Sequence, residues 1–223
     1  VTPKPLRLVI FDCDGVLIDS EPLSRRVIAE EAAALGWAFS EDDAKAYTGL
    51  PWSDLRPIFA AATGRSLPED WALVMQRRVI AAMAEGLHPV PGAAEVLDAT
   101  RALGLTLRVA SNSSHEEMAA KFATTGLASR VQGLLHSARD VARGKPAPDV
   151  FLAAAAAARV EPAACLVVED SRPGIAAARA AGMACVAYAP EGLPPDLAGT
   201  VPSVAGLASL IPVFRQAMTE HVA

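Results

Sequence analysis

The chain has 223 residues, 52 % of them hydrophobic, 20 % charged and only 5 % aromatic, with a formal net charge of -5. That length suits one large domain or two small ones, and the composition excludes a disordered chain, a collagen-like chain and a disulfide scaffold. No basic run exceeds two residues, and the longest apolar stretch, 150–158, falls well short of the ~20 residues that cross a bilayer, so neither nucleic acid nor a membrane is expected as a partner.

Residues 6–11 (LRLVIF) are predicted as a strand that ends in acids. Four helical segments follow. Ser20, with Pro22 in the first turn, opens a helix that stops at Gly36; Ser40-Glu41-Asp42-Asp43 opens a second; 53–62 and 68–84 supply two more. No strand is predicted between 20 and 87, so this stretch reads as an inserted all-helical module that returns through His88-Pro89-Val90-Pro91-Gly92. Strand and helix then alternate. A helix over 92–103 ends at Gly104, a strand covers 105–110 (LTLRVA), and Ser114-x-x-Glu117 is a capping box for a helix that stops at Gly126. A strand over 131–136, a helix over 149–158, a strand over 165–168, a helix from Pro173 to Gly182 and a strand over 183–188 complete the pattern. The strands are near-continuous apolar runs, as expected when both faces of a parallel sheet are buried. The predicted fold is therefore α/β: a doubly wound, Rossmann-like parallel sheet core (1–18 and 88–223) with an inserted all-helical cap domain (19–87).

Ligands of open α/β sheets bind beyond the carboxyl ends of the strands. The polar residues there are Asp12-Cys13-Asp14-Gly15 after the first strand, Ser111-Asn112-Ser113 after the second and Glu169-Asp170 after the fourth. Gly144-Lys145-Pro146 lies between the third strand and its helix, and Lys145 is one of only four lysines. Four carboxylates in one crevice repel one another and any anion unless they surround a hard, oxygen-preferring cation, for which Mg²⁺ is the obvious choice. With Lys145 adding positive charge, such a site could hold a phosphate dianion beside Asp12, and a carboxylate attacking phosphorus gives an acyl phosphate. Asp14 offers a main-chain carbonyl to the metal and a side chain to move protons.

These residues resemble the motifs of the haloacid-dehalogenase-like phosphatases, in the subfamily with a helical cap after the first strand. Asp12-x-Asp14-Gly15-Val16, Ser111, Lys145 with Pro146, and Glu169-Asp170 match in order, and Ser171-Arg172-Pro173-Gly174-Ile175 is also similar. The resemblance implies Asp12 as nucleophile and metal ligand, and Asp14 as the acid that protonates the leaving oxygen and then the base that activates water. Ser111, Asn112 and neighbouring N–H groups would bind phosphoryl oxygens, Lys145 would neutralise charge, and Asp170 would bind Mg²⁺, with Glu169 ligating directly or through water.

In the cap, Trp37 and Trp71 are expected as core. Trp52, after Gly49-Leu50-Pro51, and Arg77 on the last cap helix are candidate substrate contacts. The four histidines (His88, His115, His136, His221) show no ligand spacing. Cys13, Cys165 and Cys185 are scattered without a CxxC, which points to a reducing, cytoplasmic setting and away from zinc; Val1-Thr2-Pro3-Lys4-Pro5 does not open a signal peptide. The expected partner is a small phosphorylated metabolite, a sugar or sugar-acid phosphate such as 6-phosphogluconate, and the expected assembly a monomer or weak homo-oligomer. Two alternatives share the scaffold: a mutase resembling β-phosphoglucomutase, and a non-catalytic phosphate-binding regulatory module. The resemblance disfavours the mutase, which carries a His after the first motif and an Arg in the cap loop where this chain has Ser24 and Trp52. Segments 15–20 and 88–92 are the expected hinges of the cap.

Overall fold

The structure, a computed structural model, describes residues 4–47, 50, 52–83 and 86–219; among the residues named above, Val1, Thr2, Pro3, Gly49, Pro51, Ala84 and His221 lie outside them. The chain divides into two units, Val1–Asp19 with Pro89–Ala223, and Ser20–His88.

The first unit is built on a six-stranded sheet. In chain order its strands are β1 (Leu8–Phe11), β4 (Thr106–Ser111), β5 (Leu135–Ser137), β6 (Cys165–Glu169), β7 (Ala184–Tyr188) and β8 (Ser203–Val204), while the two-residue strands β2 (Ile18–Asp19) and β3 (His88–Pro89) pair separately. The sheet order is β5-β4-β1-β6-β7-β8 and every pairing in it is parallel. Counted along the chain, these six strands run 3-2-1-4-5-6, the doubly wound order, whose direction reverses between β1 and β6.

All four residues of β1 are fully buried because both faces are covered. Alternate side chains of a strand point to opposite faces. Leu8 and Ile10 join Val150, Phe151 and Ala154 of helix α8 (Asp149–Ala158) and Ala177 of α9 (Arg172–Ala180) in one cluster. Phe11 meets Phe214 of α10 (Leu210–Thr219) edge-on, with ring centroids 6.3 Å apart, on the other face. Helix α5 (Ala93–Ala102) packs against β4 and α10. The capping box forms as expected at α6 (His115–Thr124): the Ser114 hydroxyl accepts from the Glu117 N–H, and Glu117 accepts from the Ser114 N–H.

Two expectations need correction. The strand placed over 131–136 begins only at Leu135, because Val131 closes a short helix, α7 (Ala128–Val131), and Gly133, at φ 73°, turns the chain into the strand. No element is predicted beyond residue 188, yet the chain there adds β8 to the sheet edge and lays α10 on the core.

The second unit consists of α1 (Glu21–Leu35), α2 (Glu41–Tyr47), α3 (Trp52–Thr63) and α4 (Trp71–Met83). Its interior is aromatic: Phe59 lies between Trp37 (5.0 Å) and Trp71 (5.1 Å), and Trp37 also meets Phe39 and Tyr47. Glu31 ties α1 to α4, accepting from the Trp71 indole N–H at 2.8 Å and from Arg78 at 2.6 Å. No helix among the described residues is long and apolar enough to cross a membrane.

Glu31→Ala strands a largely buried indole N–H and removes the best partner of Arg78. Leaving such donors unsatisfied costs about 1–3 kcal/mol. Urea unfolding followed by tryptophan fluorescence should show a lower midpoint by that amount; an unchanged midpoint would remove Glu31 from the account of this helical unit.

Candidate active site

Register places the first acids side by side. Phe11 is paired with Val168, and the Asp12 N–H continues the ladder to the Val168 carbonyl at 2.9 Å, so Asp12 and Glu169 leave adjacent strands next to each other. One oxygen each from Asp12, Glu169 and Asp170 lies within 4.8 Å of the others. Asp12 and Glu169 are buried.

Lys145 is placed between them. Its ammonium contacts Asp12 Oδ1, donates to Glu169 Oε1 at 2.8 Å and to the Ala110 carbonyl at 3.0 Å, and sits 4.8 Å from the centre of the Phe151 ring. Burial opposes the ammonium charge, but the two carboxylates outweigh it and hold the Lys145 pKa above the usual lysine value. For Asp12, burial is the largest effect; together with the charges of Glu169 and Asp14 it outweighs the pull of Lys145 and raises the pKa to about 7. Three carboxylates, two of them buried, are grouped at one ammonium, and a divalent cation offsets the mutual repulsion of such a group. The donor set, all carboxylate oxygen, fits a hard cation such as Mg²⁺.

Two glycines make room for this crowding. A Cβ on Gly15 would lie 1.9 Å from Asp170 Oδ2, and one on Gly174 would lie 1.7 Å from Glu169 Oε1. Glu169 is anchored on both sides, since its Oε2 accepts from the N–H groups of Asp170 (2.8 Å) and Ser171 (2.7 Å) and from the Ser171 hydroxyl (2.9 Å).

The remaining core candidates line the ends of β1 and β4. Ser111 closes β4 and is buried; its Oγ accepts the Ser113 N–H at 3.0 Å, which leaves the hydroxyl proton available to an incoming oxygen. The Asn112 side chain also holds the Lys145 main chain: Oδ1 accepts its N–H at 2.9 Å, and Nδ2 gives one of its two donor protons to its carbonyl at 3.3 Å. The Asp14 carboxylate is not one of the three grouped around the possible cation. Lys121 holds it through both oxygens, at 2.7 and 2.8 Å, and Ser113 Oγ donates to Oδ2 at 3.0 Å. The sequence reading missed Lys121. The available signal was its spacing, since it lies one helical turn after Met118 and beside Phe122 on the buried face of α6.

Trp52 and Arg77 belong to the helical unit. Trp52 opens α3 half-buried, with its ring edge-on to Trp71 at 6.0 Å, and Arg77 is exposed on α4. The neighbouring Arg78 is engaged with Glu30 and Glu31.

A family model described as haloacid dehalogenase-like hydrolase matches residues 6–182. The chain belongs to that family. It is 34 % identical over 191 residues to Protein CbbY of Rhodobacter capsulatus, covering 81 % of this chain and 84 % of the relative. Against Hexitol phosphatase B of Escherichia coli K12 the identity is 33 % over 196 residues, covering 85 % of this chain and 87 % of the relative. A crystal structure of a hydrolase of this family from Deinococcus radiodurans, with bound phosphate and sodium, superposes with a TM-score of 0.79 at 30 % identity, covering 96 % of each chain.

Gly15 has φ +79°, a region costly for any other residue, and an added Cβ there would also strike Asp170. Gly15→Ala should lose about 1–3 kcal/mol in denaturant unfolding. If the clash shifts Asp170 by about 1 Å, turnover should also fall about 100-fold. Wild-type stability and turnover in the variant would show that the contact of Asp170 with the Gly15 turn is dispensable.

Proposed function

We propose that this chain is a Mg²⁺-dependent phosphoric monoester hydrolase that acts on a small phosphorylated metabolite, a sugar or sugar-acid phosphate, through a phospho-aspartate at Asp12. The observation that carries this reading is the buried Lys145 ammonium bridging Asp12 and Glu169 at the point where the sheet order reverses. Family membership supports the hydrolase chemistry, and the hexitol phosphatase relative supports a polyol-like substrate.

In this reading an Asp12 carboxylate oxygen attacks phosphorus while Asp14 gives a proton to the departing alkoxide. Water then attacks the same phosphorus, the bond to Asp12 breaks, and Asp14 takes the proton from that water. Ser111, through its free hydroxyl proton, and the N–H groups after it hold the phosphoryl oxygens, and Lys145 holds Asp12 in line and offsets the charge that gathers there. Asp12, Asp170 and the Asp14 main-chain carbonyl would hold Mg²⁺, which would supply charge neutralisation and alignment of the phosphoryl group. Glu169, whose oxygens already serve Lys145 and the turn after β6, would act from behind. The helical unit would select the rest of the substrate, with Trp52 and Arg77 as its candidate contacts. Hydrolysis is preferred to phosphosugar transfer because Ser24 cannot supply an imidazole and Trp52 cannot clamp a second phosphate.

Phosphate release should be measured over a panel of sugar, hexitol and sugar-acid phosphates, 6-phosphogluconate included, with p-nitrophenyl phosphate as the general substrate. Turnover should vanish on exhaustive chelation, return with Mg²⁺, and be abolished in Asp12→Asn, because an amide cannot form the acyl phosphate. Full activity in the chelated protein would reject the metal assignment, and sustained turnover by Asp12→Asn would reject covalent catalysis.

A further inference from the structure

Lys121 is one of four lysines in the chain, and its side chain is only 6 % exposed. All three of its N–H donors are used, on Asp14 Oδ1 (2.7 Å), Asp14 Oδ2 (2.8 Å) and Ser113 Oγ (3.0 Å). The Ser113 hydroxyl in turn donates a hydrogen bond to Asp14 Oδ2. Ser113 is fixed at both ends of its main chain, by its N–H on Ser111 Oγ and by its carbonyl on the Ser137 hydroxyl at 2.7 Å. Burial disfavours the Lys121 charge, yet Asp14 and its surroundings hold the pKa above the ordinary lysine value.

A buried ion pair is poor value as a stabiliser, since an apolar residue of similar volume often serves as well. Its use here is geometric. Asp14 is the proton-transfer group of the function proposed above, and a carboxylate on a turn after a strand has rotational freedom that proton transfer cannot tolerate. We propose that Lys121 is a positioning residue for Asp14: together with Ser113 it fixes both carboxylate oxygens, so that Asp14 meets the water that breaks the phospho-aspartate. In that step the water oxygen bonds to phosphorus, the bond from phosphorus to Asp12 breaks, Asp12 leaves as carboxylate, and the water proton passes to Asp14. Lys121 acts only through the Asp14 carboxylate and Ser113 and keeps its own protons. The inference rests on the phosphatase reading.

The test uses the full chain with saturating Mg²⁺ and p-nitrophenyl phosphate, whose leaving group needs little protonation. Formation of the phospho-aspartate then depends weakly on Asp14, while its hydrolysis depends on it strongly. Lys121→Met should lower kcat about 100-fold while kcat/KM stays within about 5-fold, so KM falls in parallel. A burst of p-nitrophenolate should appear, and acid quenching should trap phosphorylated protein. Lys121→Arg, which keeps the charge and can reach both oxygens, should recover most of kcat. Ser113→Ala should move kcat the same way by about 5-fold, and it carries the same test if Lys121→Met fails to fold. Unchanged kcat, or kcat and kcat/KM falling together without trapped phosphoprotein, would overturn the positioning role alone. A wild-type chain that releases no phosphate from any substrate would overturn the phosphatase reading, and this inference with it.

Discussion

The arrangement at the sheet's switch point depends on one buried cation. Lys145 lies between Asp12 at the end of β1 and Glu169 at the end of β6, and the two strands are in register so that these carboxylates emerge together. Neither acid could be buried there as a charge without it, because an unpaired ion in a protein interior costs several kcal/mol. The lysine is itself held by structure on every side. Asn112 grips its main chain through both amide atoms, the Ala110 carbonyl takes a third N–H, and the Phe151 ring from α8 lies beneath the ammonium. The same Phe151 belongs to the cluster that fills one face of the sheet. Position of the cation and packing of the core are therefore one constraint.

A second lysine repeats the device on the other functional carboxylate. Lys121 pairs with Asp14 as Lys145 pairs with Asp12, but the two pairs differ in what is left over. Lys121 meets the one carboxylate of Asp14, whereas Lys145 bridges two of a group of three. The separation suits a site in which one aspartate must be the nucleophile beside a divalent cation and its neighbour two residues on must handle protons. In the proposed function that difference in local charge, rather than distance along the chain, would distinguish their tasks.

Much of this was legible in the sequence because the signals were one-dimensional. An apolar run such as LVIF that breaks into Asp-Cys-Asp-Gly marks a strand buried on both faces whose end meets a polar site. The helix over 149–158 and the Ser114 capping box were equally plain, since cap chemistry and alanine content act locally. What stayed hidden was tertiary. Ser203 and Val204 form a strand only because β7 offers an edge, and α10 is fixed by Phe214 reaching Phe11. The segment 131–136 carries an apolar pattern but is divided by Gly133 into a helix end and a three-residue strand. Lys121, seven residues into its helix, has the look of a solvated charge until Asp14 is placed opposite it. That the Asn112 amide also holds the Lys145 main chain does not show in the Ser-Asn-Ser run.

The two glycines give the last constraint its sign. Glu169 and Asp170 are consecutive, yet one carboxylate is turned back under the start of α9 and the other is turned toward the Asp14-Gly15 turn. Each direction is open only because a side chain is missing, at Gly174 for the first and at Gly15 for the second. The N–H groups of Asp170 and Ser171, in the turn just before α9, hold the first choice. Glu169 is held there, with its other oxygen on Lys145. In the proposed function Asp170 is the acid beside Asp12 that would meet a cation. The order Glu-Asp is thus not interchangeable: the longer side chain reaches the amides of the turn before α9 and Lys145, and the shorter one stays at the strand end where the ligand would be.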